Sequence, residues 1–320
     1  MPPVTVLYVA GTGRSGSTLL GNMLGQVPGA FSGGEINNLF KRGILEDWYC
    51  GCGHRFSSCG VWQAVLGEAF GPLGTDVEAM VAAGDRLNRV RRIPRLLASR
   101  GKPGTLGPAA PEYLANLDRL YRGISGATGS RMIVDVSKSP SYGYLLGTLP
   151  SVRLHVIHLV RDPRGTAFSW RRKRLRSDGA RERYMQRMSL PKSAALWSVW
   201  NLAAEAMWSR SGVPYLRLRY EDLMSDPAGA LRAALNLAGV QHASLDFVGA
   251  GSVRLDACHT ISGNPMRLAT GELELKPDLE WTSAMPLAQR LLVTALTAHS
   301  LARYGYPLGR PEQFSLSRSS

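Results

Sequence analysis

Gly11-Thr12-Gly13-Arg14-Ser15-Gly16-Ser17-Thr18 can curl so that successive backbone N–H groups point at one anion. A helix N-terminus behind such a loop adds partial positive charge. Ser15, Ser17 and Thr18 supply hydroxyl donors, and Arg14 puts a cation inside the loop. Gly11, Gly16 and Thr18 fit the phosphate-loop pattern Gly-x-x-x-x-Gly-Lys-Ser/Thr, but Ser17 stands at the lysine position. A kinase or ATPase needs that lysine on the β- and γ-phosphates, so ordinary nucleoside triphosphate chemistry is disfavoured. From its place in the loop, Arg14 reaches a group attached to a single 5′-phosphate.

The loop needs a strand before it and a helix after it. Val4 to Ala10 is an unbroken apolar and β-branched run that reads as a buried strand. Leu19, Leu20, Met23 and Leu24 then fall at helical spacing. Arg131 to Val136, Leu154 to Val160 and Tyr215 to Tyr220 read as three further strands, separated by long helical stretches. The alternation predicts an α/β fold with a central mostly parallel sheet, in three P-loop-like layers with helical insertions. In such sheets ligands bind at the carboxyl ends of the strands. Residues 75–98 predict an inserted helix opened by the capping box Thr75-Asp76-Val77-Glu78. Ser99 to Pro111 reads as a Gly/Pro/Ala-rich mobile loop, with Pro111 in the first turn of a short helix. Helices are also expected over 191–211, where Trp197, Trp200 and Trp208 read as core packing, and over 286–304. Residues 1–312 are expected to form one domain, with 36–125 as an insertion beside the acceptor, and 313–320 a tail.

The segment Gly13-Arg14-Ser15-Gly16-Ser17-Thr18-Leu19 resembles the 5′-phosphosulfate loop of sulfotransferases that use PAPS (3′-phosphoadenosine 5′-phosphosulfate). Gly13 stands where that family often has proline. Leu159-Val160-Arg161-Asp162-Pro163-Arg164-Gly165-Thr166-Ala167-Phe168-Ser169 resembles the family's 3′-phosphate motif, which implies phosphate binding by Arg161 and Ser169. The residue types agree: Arg161 offers a forked cation and Pro163 starts a helix that carries Ser169 two turns along. The resemblance is closest to the carbohydrate, tyrosyl-protein and bacterial branches. It implies transfer of a sulfuryl group to a hydroxyl, less readily an amine, of a small-molecule, glycan or lipid acceptor, releasing PAP.

Such a transfer needs a base for the acceptor and cations for the leaving oxygen, and requires no metal. Arg14 is the first candidate cation. Lys138 is the second, because Lys138-Ser139-Pro140 is similar to a Lys-Ser/Asp-Pro segment of the family. Glu35, in Gly33-Gly34-Glu35, is similar to the catalytic glutamate of the tyrosyl-protein branch; a helix cap or an ion pair with an arginine is its structural alternative. Gly263-Asn264-Pro265-Met266-Arg267 resembles a bacterial loop that closes over the nucleotide. Arg267 is therefore expected at the 3′-phosphate or the adenine, or else as a loop strut, and His259 as a support for the loop or the acceptor. His155, His158 and Trp281 read as packed residues.

Cys50, Cys52, Cys59 and His54 have the donor types of a zinc site, but Cys-x-Cys is tighter than the common knuckle spacing. Reduced thiols or a local disulfide are expected there, and no metal. Arg171, Arg172, Lys173, Arg174, Arg176, Arg181, Arg183 and Arg187 crowd one stretch, as a solvated surface or a contact for anionic lipid, carbohydrate or protein. The net charge of +14 fits a basic surface or an anionic ligand, and no nucleic-acid module is recognisable. No apolar run reaches the roughly 18–20 residues of a membrane span. With no basic segment before Val4, a cytoplasmic protein is expected. A P-loop small-molecule kinase and a non-catalytic nucleotide or anionic-lipid binder are the rival functions.

Overall fold

Val4–Gly11 is strand β1 of the computed structural model, which describes residues 3–99, 103–173, 175–176 and 183–309. The expected tail at 313–320, the Met1-Pro2 start, residues 100–102 of the expected loop, and Arg174 and Arg181 lie outside these residues. Side chains alternate across a strand. Val4, Val6, Tyr8 and Ala10 accordingly enter one core, while Leu7 and Val9 enter the other. β1 is buried on both faces because helices cover both sides of the sheet.

After β1 come α1 (Ser17–Leu24), β2 (Ala30–Gly34), α2 (Gly60–Phe70), α3 (Val77–Leu87), α4 (Ile93–Ala98) and α5 (Ala110–Thr128). β3 (Met132–Lys138), α6 (Pro140–Leu146), β4 (Val152–Val160) and α7 (Pro163–Arg171) follow. A short antiparallel pair, β5 (Leu175–Arg176) and β6 (Arg183–Tyr184), precedes α8 (Leu190–Trp208) and β7 (Tyr215–Arg219). The chain then forms α9 (Tyr220–Ser225), α10 (Pro227–Leu237), the hairpin strands β8 (Ser252–Leu255) and β9 (Gly271–Glu274), α11 (Trp281–Ala284) and α12 (Leu287–Leu301). The central sheet has order β2-β3-β1-β4-β7, and every pair in it is parallel. This is the α/β arrangement that the alternation predicts. The larger core packs α2, α5, α6 and α8 against one face, and the other core packs α1, α9 and α10 against the opposite face. Leu20 and Leu24 of α1 are fully buried, each stabilising the fold by about 1.5–3 kcal/mol.

The sequence expectations change in four places. The helix expected over 75–98 is broken into α3 and α4, because Pro94 has no N–H to donate to Val90, and Ser139 and Ser141 donate to the carbonyls of Asn88 and Arg89 at the break. Its cap is Asp76, whose side chain accepts the Ala79 N–H at 2.9 Å, and not Thr75. The helix around Pro111 is long, spanning Ala110–Thr128, since Tyr113, Leu114, Leu117, Leu120, Tyr121 and Ile124 are buried along it. Finally, β2 escapes a pattern reading because its five residues include two glycines.

Candidate active site

The chain leaves β1 at Gly11, where φ is +135° and an added Cβ would sit 2.3 Å from the Leu159 carbonyl oxygen. The loop turns again at Gly16, with φ +89°; a Cβ there would lie 2.6 Å from the Tyr220 ring. Only glycine tolerates both restrictions. Gly13 likewise abuts Trp170, at 2.7 Å from a built Cβ, which accounts for glycine at that position. Helix α1 then starts at Ser17 with no side-chain cap and no acidic residue in its first turn. Its positive end therefore faces the cleft without an acidic residue of its own first turn. Ser17, Thr18 and Leu19 line the cleft, whereas the Ser15 hydroxyl turns inward to the Thr12 carbonyl at 2.8 Å. Arg14 has φ +71° and lies over the Trp170 ring at 4.8 Å.

Lys138 ends β3 with φ +69°, where the register between β1 and β3 shifts. An irregularity at a strand end re-aims the side chain. Lys138 Nζ donates to Glu35 Oε1 at 2.6 Å and to the Val136 carbonyl at 2.8 Å. The other Glu35 oxygen accepts from Asn38 Nδ2 at 2.9 Å and Ser262 Oγ at 3.1 Å. Glu35 itself follows β2, and its N–H bonds the Ile261 carbonyl at 2.9 Å. Glu35 thus forms an ion pair with Lys138. Non-glycine residues with positive φ are strained, and such strain concentrates at functional sites. Of the five described non-glycine residues with positive φ, Arg14, Lys138 and Ser262 line this cleft, and Asp47 and His242 do not.

Arg161 leaves β4 and is 5% exposed. Its Nη1 donates to the Arg14 carbonyl at 3.0 Å, so the two predicted anion motifs touch through the backbone. Nη2 bonds the Asp278 carbonyl at 2.9 Å and pairs with its carboxylate at 3.2 Å. The guanidinium lies over Tyr220, 4.5 Å from the ring centre. Burial pushes the Asp278 carboxyl up, but the Arg161 and Arg172 guanidiniums outweigh it and hold it below the usual range. Ser169 lines the same hollow from α7. The hollow around Glu35 and Lys138 encloses about 300 Å³ and the one around Arg161 and Ser169 about 290 Å³. Arg14, Gly16, Leu19, Asn264 and Met266 line both, so the two hollows adjoin.

Arg267 takes the strut role. It is 1% exposed and donates to the carbonyls of Thr260 and Tyr49, pointing into the loop's own packing. Asp162 caps α7 by accepting from the Arg164 N–H and pairs with the buried Arg164 side chain at 2.7 Å. His158 is packed between Asn201 and Tyr215, and Trp281 lies under Arg164. His259 lies in the loop that precedes Arg267, with its ring against the cysteine cluster. In the basic stretch, Arg171, Arg172 and Arg187 bond Gln289, Asp278 and the Arg171 carbonyl respectively. Asp278 and Tyr220 are the site residues that sequence reasoning missed. Asp278 is a single polar residue outside a periodic pattern and Tyr220 reads as the end of a strand, so only the Arg161 motif signals that a partner is needed.

A family model described as "Sulfotransferase family" matches residues 75–244, more than half of the chain. That span holds Lys138, Arg161 and Ser169, while the glycine loop and Glu35 precede it. Two solved structures share the fold. One is the sulfotransferase domain from the Synechococcus PCC 7002 olefin synthase, at 23% identity and TM-score 0.53, covering 96% of this chain and 97% of that one. The other is the sulfotransferase domain from the curacin biosynthetic pathway, at 16% identity and TM-score 0.52, covering 97% of this chain and 99% of that one. No curated protein matches the chain by sequence. No helix among the described residues is long and apolar enough to cross a membrane.

Proposed function

The chain belongs to the sulfotransferase family, and from that premise we propose that it moves the sulfuryl group of PAPS to an acceptor hydroxyl and releases PAP. The observation that carries this reading is the contact between the two anion motifs, Arg161 Nη1 on the Arg14 carbonyl, between two adjoining hollows. A donor with phosphate at both ends of one adenosine needs two cradles within reach of each other.

In this reading Gly13 to Leu19 hold the 5′-phosphosulfate against the N-terminus of α1. Ser15 takes part through its backbone, since its hydroxyl is turned to Thr12. Arg161 and Ser169 hold the 3′-phosphate, with Tyr220 fixing the plane of the guanidinium. The acceptor oxygen attacks sulfur in line, its proton passes to Glu35, and the bond from sulfur to the bridging oxygen breaks. Charge then collects on that oxygen, where Arg14 and Lys138 stabilise it. Asn38 and Ser262 orient Glu35 for the proton. A hollow of about 240 Å³, lined in part by Ile36, Phe40, Met80 and Tyr113, meets the cleft at Asn38 and offers a route for a small-molecule, glycan or lipid acceptor. Those residues lie in the 36–125 insertion.

A thermal shift with PAP against ATP, ADP and AMP tests the reading, followed by an acceptor screen with labelled PAPS. PAP at a hundred times its Kd would stabilise the fold by about 2.7 kcal/mol. Stabilisation by ATP together with none by PAP would favour a small-molecule kinase instead.

A further inference from the structure

Cys50, Cys52 and Cys59 meet His259 across 200 residues of sequence, although spacing alone points to His54 as their histidine. The four donor atoms lie within 4.8 Å of one another. Cys52 Sγ is 3.7 Å from Cys59 Sγ, and His259 Nδ1 is 3.3 Å from Cys59 Sγ and 3.8 Å from Cys50 Sγ. A tetrahedral zinc with ordinary bond lengths has edges of roughly 3.8 Å between sulfurs and roughly 3.6 Å between sulfur and nitrogen. The cluster therefore already has the size of a zinc tetrahedron. A disulfide requires an S–S distance of about 2.05 Å. All three thiols are free, and any one pairing would strand the third.

The surroundings hold these donors in place. Gly51 N–H bonds the Thr260 carbonyl at 2.9 Å, and a Cβ on Gly51 would strike the Cys258 carbonyl oxygen at 2.2 Å. The cysteine turn thus lies backbone to backbone against the His259 loop. Trp62 Nε1 donates to the His259 carbonyl at 2.9 Å, and the Phe31 ring lies nearly parallel to the imidazole. Cys50 and Cys59 are buried, whereas His54 is exposed with its ring 3.7 Å from Cys52 alone.

We propose that Cys50, Cys52, Cys59 and His259 bind a structural zinc ion that fastens the cysteine turn to the loop behind Glu35. Three thiolates and one imidazole suit zinc, and four protein ligands leave no open position for catalysis. The clamped loop continues into Ile261, whose carbonyl takes the Glu35 N–H, and Ser262, whose hydroxyl bonds the Glu35 carboxylate. The site stands on its own donors and does not depend on which nucleotide the cleft takes.

Metal analysis of the purified full chain, equilibrated with zinc under reducing conditions, tests this. One zinc per chain is expected, and cobalt in its place should give the strong visible bands of tetrahedral thiolate coordination. His259→Ala should weaken zinc binding by about a hundredfold or more, since even changes outside the ligand shell cost roughly ten- to a hundredfold. His54→Ala should leave zinc binding unchanged. If His259→Ala does not fold, the zinc stoichiometry and cobalt spectrum of the unaltered chain decide alone. A chain without zinc whose three thiols react with Ellman's reagent equally fast with and without added zinc would overturn the site. Loss of zinc in His54→Ala but not in His259→Ala would overturn the ligand set.

Discussion

Glu35 Oε1 accepts a hydrogen bond from Lys138 Nζ at 2.6 Å, joining two residues 103 apart in sequence. Each stands at the carboxyl end of one of two neighbouring strands, β2 and β3. The proposed base and the proposed cation are thus held as one unit, and in that reading donor binding has to draw Lys138 toward the sulfate. Glu35→Gln keeps the size and hydrogen bonding of the side chain but cannot take a proton. Turnover of labelled PAPS with an acceptor from the screen should fall by roughly 10²–10⁴-fold, with the PAP thermal shift retained. Unchanged turnover would remove Glu35 as the base.

Arg161→Ala should cut the stabilisation by PAP at a fixed concentration by about half or more. A charge-assisted hydrogen bond contributes about 1.5–3 kcal/mol, so titration calorimetry should find PAP binding weakened by about ten- to a hundredfold. PAP binding equal to that of the unaltered chain would take Arg161 out of the site.

In the proposed site Asp278 would compete with the 3′-phosphate for Arg161, since its carboxylate pairs with that guanidinium at 3.2 Å. Asp278→Asn keeps an oxygen acceptor for Arg161 and removes the charge. Calorimetry should show tighter PAP binding, by up to about tenfold. Weaker binding would mean that Asp278 chiefly positions Arg161.

Gly16→Ala forces a side chain onto a residue with φ +89° and into the Tyr220 ring. Such backbone strain costs about 1–3 kcal/mol. The melting temperature should fall, and PAP binding should weaken because the loop must open to make room. A variant with unaltered stability and PAP affinity would show that the loop is not fixed in this form.

Two buried groups should tilt stability against pH in opposite senses. Burial pushes His158 down to about 4, outweighing the Asn201 hydrogen bond and the Glu205 charge, with Arg217 adding to the downward push. The unfolded chain then binds the extra proton first, so the His158 contribution is full above pH 6.5 and lost as pH falls toward 4. Burial pushes Asp135 up to about 6, against the hydrogen bonds from Ser137 and Tyr121 and the charge of Lys138. Here the folded chain holds the extra proton, so the contribution is full below pH 3.8 and lost as pH rises through 6. Each amounts to roughly 3 kcal/mol and they nearly cancel between pH 4 and 6. In denaturant titrations over that range, Asp135→Asn should lose stability as pH falls and His158→Gln should gain it. Parallel slopes in the two variants would contradict the assignment.

Short-range pattern determined the parallel strands β1, β3, β4 and β7, the glycine loop and the Arg161 to Ser169 spacing, because each is set by neighbouring residues. An unbroken β-branched run can be buried on both faces, and a loop that needs positive φ selects glycine wherever it occurs. Only the tertiary structure decided which groups meet. The pairing of Glu35 with Lys138, the hold of Asp278 and Tyr220 on Arg161, the inward turn of Arg267, and the approach of His259 to Cys50 and Cys59 all join segments far apart in the chain. Those meetings follow from the strand order β2-β3-β1-β4-β7 and from loops packing at backbone contact, and neither carries a periodic signature in the sequence.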